Sequence, residues 1–108
     1  MSWYSASLFF EAVHALESVP NTLWEEQIVL VQSSDADEAH ALATQIGKNS
    51  EHSYVVSEPE QHVLHWRFVT VESVHEIDAD QLESGVELFS RLLGSRKAKI
   101  LLEPPGRD

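Results

Sequence analysis

Six histidines are the first residues in this 108-residue chain that could do chemistry. A neutral imidazole is a good ligand for zinc, copper or nickel, provided two or more rings converge on one ion. His62 and His65 stand three apart, a spacing that would aim both rings at one ion from a helix but sends them to opposite faces of a strand. The residues around them are β-branched and aromatic, so the strand reading applies and the pair diverges. His75 and Glu76 are adjacent and diverge for the same reason, and His14 and His40 have no ligand close in sequence. Only a long-range convergence could assemble a metal site. The histidines are therefore read as surface or hydrogen-bonded side chains, and no metal or cofactor is expected.

Paired carboxylates could run acid–base chemistry if burial separated their pKa values. Glu25-Glu26 and Glu72/Glu76 are the available pairs, and neighbours on a strand point to opposite faces. The chain has no cysteine, which removes thiolate nucleophiles, disulfides and thiolate zinc sites. Its four glycines are scattered and build neither a phosphate-cradling loop nor a G-x-S-x-G elbow. No catalytic residue is assigned, and a non-enzymatic role is the expectation. Among the aromatic residues, Tyr4 and Trp66 are read as core, while Trp3 and Trp24 fall near strand ends where part of the ring stays in water.

The elements that would position these residues follow from periodicity. Trp3 to Leu16 alternates, with Tyr4, Ala6, Leu8, Phe10 and Ala12 on one apolar face, and predicts a strand. A break at Ser18-Val19-Pro20-Asn21 leads to a second strand, Trp24 to Gln32, expected to pair with the first as an antiparallel hairpin. Its centre, Ile28-Val29-Leu30-Val31, is apolar on both faces and predicts a central strand covered on both sides. Asp35 then opens Asp-Ala-Asp-Glu, a capping-box-like start with carboxylates at the positive end of the dipole. Ala39, Leu42, Ala43 and Ile46 recur on one helical face, and Gly47 is read as the C-terminal stop. Asn49 to Gln61 is polar and reads as a connection.

His62 to Ile77 predicts a strand whose apolar phase slips after Phe68, so either a bulge or bend near Phe68–Val69 or burial of both faces there is expected. Residues 78–85 read as a turn. Val86 to Leu93 fits a helix through Leu82, Val86, Phe89 and Leu93, yet Gly85 suits a hairpin, and a strand is preferred. The expected architecture is α+β: an antiparallel sheet of four to five strands in the order β-β-α-β-β, with one amphipathic helix packed on one face. One domain, 1–94, is followed by a basic, Pro/Gly-containing tail, 95–108, read as extended.

Charge is the most unusual bulk property. The chain carries −11, and the excess is not spread evenly. Residues 1–47 contain no Lys or Arg; residues 1–90 hold sixteen acids against two bases, a charge of −14, and residues 91–108 hold five bases against two acids, a charge of +3. Such a body repels phosphate backbones and anionic lipid, so neither nucleic acid nor a membrane is an expected partner. No stretch approaches the roughly 18 apolar residues of a membrane helix. Met1 to Phe10 has no basic start and no continuous apolar run, so no signal peptide is expected and a cytoplasmic location follows.

The order of short motifs resembles the family catalogued as domain of unknown function 4288. The residues that carry the resemblance are Trp3-Tyr4, Phe10-Glu11, Glu25-Glu26 before Ile28-Val29-Leu30-Val31, the Asp-rich helix start with Gly47, His52-Ser53-Tyr54, Trp66-Arg67-Phe68, Val71 to Ile77, and Ser90-Arg91. It spans about residues 3–93 and implies a bacterial protein, but it brings no activity, cofactor or site residues with it.

The functional expectation is a non-catalytic acidic module that binds another protein, such as an immunity or antitoxin protein masking a basic, toxin-like partner. The alternative is a homo-oligomeric small-molecule binder or enzyme, with the ligand on the sheet or between copies. Phe9, Val13, Val29 and Val31 add a second apolar sheet face, which either stays open as an interface or is covered by the C-terminal segment. Trp3, Glu25, Glu26, Trp66 and Arg91 are the candidate interaction residues.

Overall fold

The computed structural model describes residues 1–78 and 82–102. Four strands, β1 (Ser2–His14), β2 (Trp24–Ser33), β3 (His52–Val56) and β4 (His62–Glu76), form one antiparallel sheet in the order β2-β1-β4-β3. Helix α1 (Ala36–Asn49) joins β2 to β3, and α2 (Ser95–Leu102) follows the sheet. The chain is thus α+β with an antiparallel sheet.

β1 forms because its alternation is nearly perfect. Tyr4, Ala6, Leu8, Phe10 and Ala12 are all buried, and the first four share the core with Ala39 and Ala43 of α1. β1 pairs with β2 in one unbroken register, from Ser2 opposite Ser33 to Glu11 opposite Trp24. Against β4 the register slips twice: Glu72 has no partner between Ser7 and Leu8, and Val69 has none between Phe9 and Phe10. The second slip is the bulge that the phase shift after Phe68 requires. Each extra residue bends the strand and re-aims the side chains beside it.

α1 starts where the carboxylates predict. Asp35 is extended at the N-cap and accepts the Glu38 N–H at 2.8 Å, while Asp37 and Glu38 occupy the first turn. Its buried side is Ala39, Ala43 and Gly47, and the first two join Tyr4, Ala6, Leu8, Phe10, Val31 and Val71 in the core. Leu42 and Ile46, expected on that face, sit at its exposed margin, because only the small residues can come close enough to the sheet. Gly47 is likewise not the stop. It lies inside the helix against the ring of Phe68, and the end is closed by the Ser50 N–H donating to the Gly47 carbonyl and the Glu51 N–H donating to the Lys48 carbonyl.

Four further expectations are corrected. β2 is an edge strand, not a central one, because α1 carries the chain across to the far edge and β4 takes the inner place beside β1. Ile28 and Leu30 are consequently 44% and 40% exposed. The polar connection contains β3, whose pairing with β4 stabilises residues of weak apolar pattern. Val86 to Leu93 forms no strand, and the basic tail is not extended from its start but helical over Ser95–Leu102. Residues 79–81 of the expected turn and the Pro104-Pro105-Gly106 end of the expected tail lie outside the described residues. Ser84 and Gly85 do form a turn, with Gly85 at φ +94° where a side chain would be strained.

Candidate functional site

The sheet face turned away from α1 carries Trp3, Ser5, Ser7, Phe9, Glu11 and Val13 from β1, alternating with the core residues. Ser5 and Ser7 are only 1% and 2% exposed, so this face is covered at its middle. The cover is the segment before α2: the Ser5 hydroxyl donates to the Leu88 carbonyl, and the Phe89 ring meets His75 edge-on at 5.0 Å. Val29 and Val31, expected on this face, instead lie beside Ala6 and Tyr4 on the α1 face; of the two readings left open for the outward face, the structure shows partial coverage by the C-terminal segment. Serines at these positions allow the segment to approach closely, where larger side chains would hold it off.

Between that segment and the strands lies a cleft of about 510 Å³. Phe9, Glu26, Glu72, Ser73 and His75 line its strand side, and Phe89, Ser90, Arg91 and Lys97 line the other. The bulge explains why Glu72 and Ser73, consecutive in β4, both reach it. Glu26 is held by the Ser7 hydroxyl, which donates to its Oε2 at 2.5 Å. Neither carboxylate forms an ion pair with Arg91 or Lys97 among the described residues; the ion pairs there are Arg67–Glu11 at 2.8 Å and His65–Glu51 at 3.8 Å. The Ser73 hydroxyl oxygen is buried and has no hydrogen-bond partner among the described residues. The cleft therefore offers two carboxylates and two cations to whatever occupies it, between two aromatic rings.

Of the residues singled out in the sequence, Glu26 and Arg91 meet in this cleft. Trp3 lies half-buried on the same face but toward the strand start, beside Gln32 and Ile77, and its carbonyl accepts the Ile77 N–H. Glu25, one residue from Glu26, turns to the α1 face and accepts from Gln27. Trp66 packs against the core on the α1 face, and its Nε1 donates to the Tyr54 hydroxyl at 3.0 Å. Glu72, Ser73, His75 and Lys97 were not anticipated. The slipped apolar phase of β4 was the available signal for the first two.

One histidine convergence was also missed. His14 at the end of β1 and the buried His62 at the start of β4 bring Nδ1 and Nε2 to 2.8 Å, and His62 Nδ1 donates to the Glu60 carbonyl at 2.7 Å. Among the described residues no group of three His, Cys, Asp or Glu side chains gathers as a metal site would require. Tyr4 is the titratable group most affected by its surroundings: burial lifts its phenol above the ordinary value, and Glu76 and Asp35 add to the rise. Among the described residues no helix is long and apolar enough to cross a membrane.

Neither the curated proteins nor the solved structures include a match to this chain. A family model does match, over residues 3–90, which takes in all four strands, α1 and most of the segment covering the outward face. The chain belongs to the family described as domain of unknown function 4288 (DUF4288).

Proposed function

We propose that this chain is a non-catalytic protein-binding module that receives a basic protein surface on its outward sheet face. The observation that carries the reading is one row on the edge strand β2: Trp24, Glu26, Ile28 and Leu30 alternate onto that face, and all four are exposed. An apolar row with a carboxylate inside it supplies anchors and charge together, and a free strand edge offers backbone groups as well. The surrounding charge speeds encounter with a cationic partner, since residues 1–47 contain no Lys or Arg. An immunity or antitoxin protein that masks a basic toxin is the specific form of this proposal.

The test is capture from native lysate at low and high salt by the wild type and by an Ile28→Asp/Leu30→Asp variant whose folding is checked by circular dichroism. A basic protein retained by the wild type at low salt, and lost both in the variant and at high salt, supports the reading. Equal retention by the two proteins refutes it.

The opposed charges of the cleft favour a second reading, a binder of small zwitterionic molecules. A rise in melting temperature with an amino-acid panel, abolished in Arg91→Ala, would support it, and no rise at millimolar ligand would count against it.

A further inference from the structure

We infer that a second copy of this chain is one partner of the outward face, held by an exchanged C-terminal arm. The inference rests on the protein-binding reading above and names an occupant for the β2 row.

The arm is Leu92–Leu102. Among the described residues its helix, α2, buries no residue and packs against no other helix or strand. Ala98, Leu101 and Leu102 share one side of it, at i, i+3 and i+4, while Arg96 and Lys99 lie on the other. Leu92 is fully exposed and Leu102 is 82% exposed. An amphipathic helix with an uncovered apolar side is a surface awaiting a partner. Among the described residues Lys97 is the one side chain of the helix that lines the cleft, and Leu101 and Leu102 stay exposed.

The charge of the chain points to a second copy. Residues 91–108 carry +3 and residues 1–90 carry −14, so each copy holds both halves of a complementary pair. The receiving row is apolar at Trp24, Ile28 and Leu30 and acidic at Glu26, which matches the leucines and the cations of α2. A two-fold exchange uses each element twice, as closed dimers do. Eleven arm residues and the five outward-facing residues of β2 on each copy make an interface below the standard size of about 20–30 residues a side, the size of a reversible, concentration-dependent dimer.

Sedimentation velocity of the full chain over a concentration series tests the exchange. The expected result is a monomer–dimer equilibrium at low salt, weakened at least about tenfold by Leu101→Asp/Leu102→Asp and by high salt. The arm substitutions touch no packed element, so the variant keeps its fold. Ile28→Asp/Leu30→Asp removes the receiving row instead. Mixing the two variants restores one of the two contacts and yields a heterodimer, whereas neither variant dimerises alone. A wild type that stays monomeric throughout, or a dimer untouched by the arm substitutions, overturns the exchange. If the β2 row still captures a basic partner in that case, the protein-binding reading stands without it; if the row captures nothing, both fail.

Discussion

The ring of Phe68 occupies the space that a Cβ on Gly47 would need, with its Cε1 2.3 Å from that position. Phe68 is itself held edge-on against Phe10, ring centres 5.7 Å apart, so it has little freedom to yield. Gly47→Ala gains helix propensity but forces this contact apart, and a net loss of about 1–3 kcal/mol is expected. Urea unfolding measures it. Adding Phe68→Leu should recover part of the loss, and recovery of nothing would mean that the ring is not the obstacle.

Asp35 starts α1 with an extended backbone and a side chain that accepts the Glu38 N–H. Asp35→Ala should lower stability by about 1 kcal/mol, and Asp35→Ser by much less, because serine can still cap. An unchanged melting temperature for the alanine variant would show that the cap contributes nothing measurable.

Burial, with Glu76 and Asp35 nearby, raises the Tyr4 phenol above its ordinary value of 10.0. The folded chain then holds the phenolic proton more tightly than the unfolded chain does. The stability this contributes is fully present below about pH 10 and is lost as pH rises through the folded value. Absorbance titration should show one phenol ionising late, and Tyr4→Phe should remove that phase together with part of the alkaline loss of stability. Retention of the late phase in Tyr4→Phe would assign it elsewhere.

The Glu60 carbonyl can only accept, so His62 Nδ1 carries a proton; when both rings are neutral, His62 Nε2 is the acceptor and His14 Nδ1 the donor. Nitrogen chemical shifts should place both rings in the Nδ1–H form at alkaline pH. An Nε2–H tautomer on His62 would contradict the geometry. His14→Ala leaves a buried imidazole nitrogen without its partner and should cost about 1–3 kcal/mol.

How much of this was legible in the sequence depended on the range of the physics involved. Strict alternation in β1, the capped start of α1 and the slipped phase of β4 are local, and each led to the right element. Glu26 was named for its charge and Arg91 as part of the basic end, but nothing in the sequence set them in one cleft. That meeting needs the pairing of β2 with β1, which sets Glu26 opposite Phe9 on the outward face, and a folded-back segment to supply Arg91. His14 and His62 are 48 residues apart and meet only through the pairing of β1 with β4.

By itself the sequence determined the α+β class, the absence of thiol chemistry, the acidic body with its basic end, and the sites of the first hairpin and of α1. These depend on side-chain type and on periods of two or 3.6 residues, which operate over a few positions. Tertiary structure alone decided that β2 lies at an edge, that Gly47 is a point of close approach, that the Leu88–Arg91 segment covers the middle of the outward face, and that α2 packs on no other element among the described residues. A strand apolar on both faces reads the same whether protein or water lies against it. Which of the two it meets is settled by where α1 carries the chain and which strand takes the place beside β1.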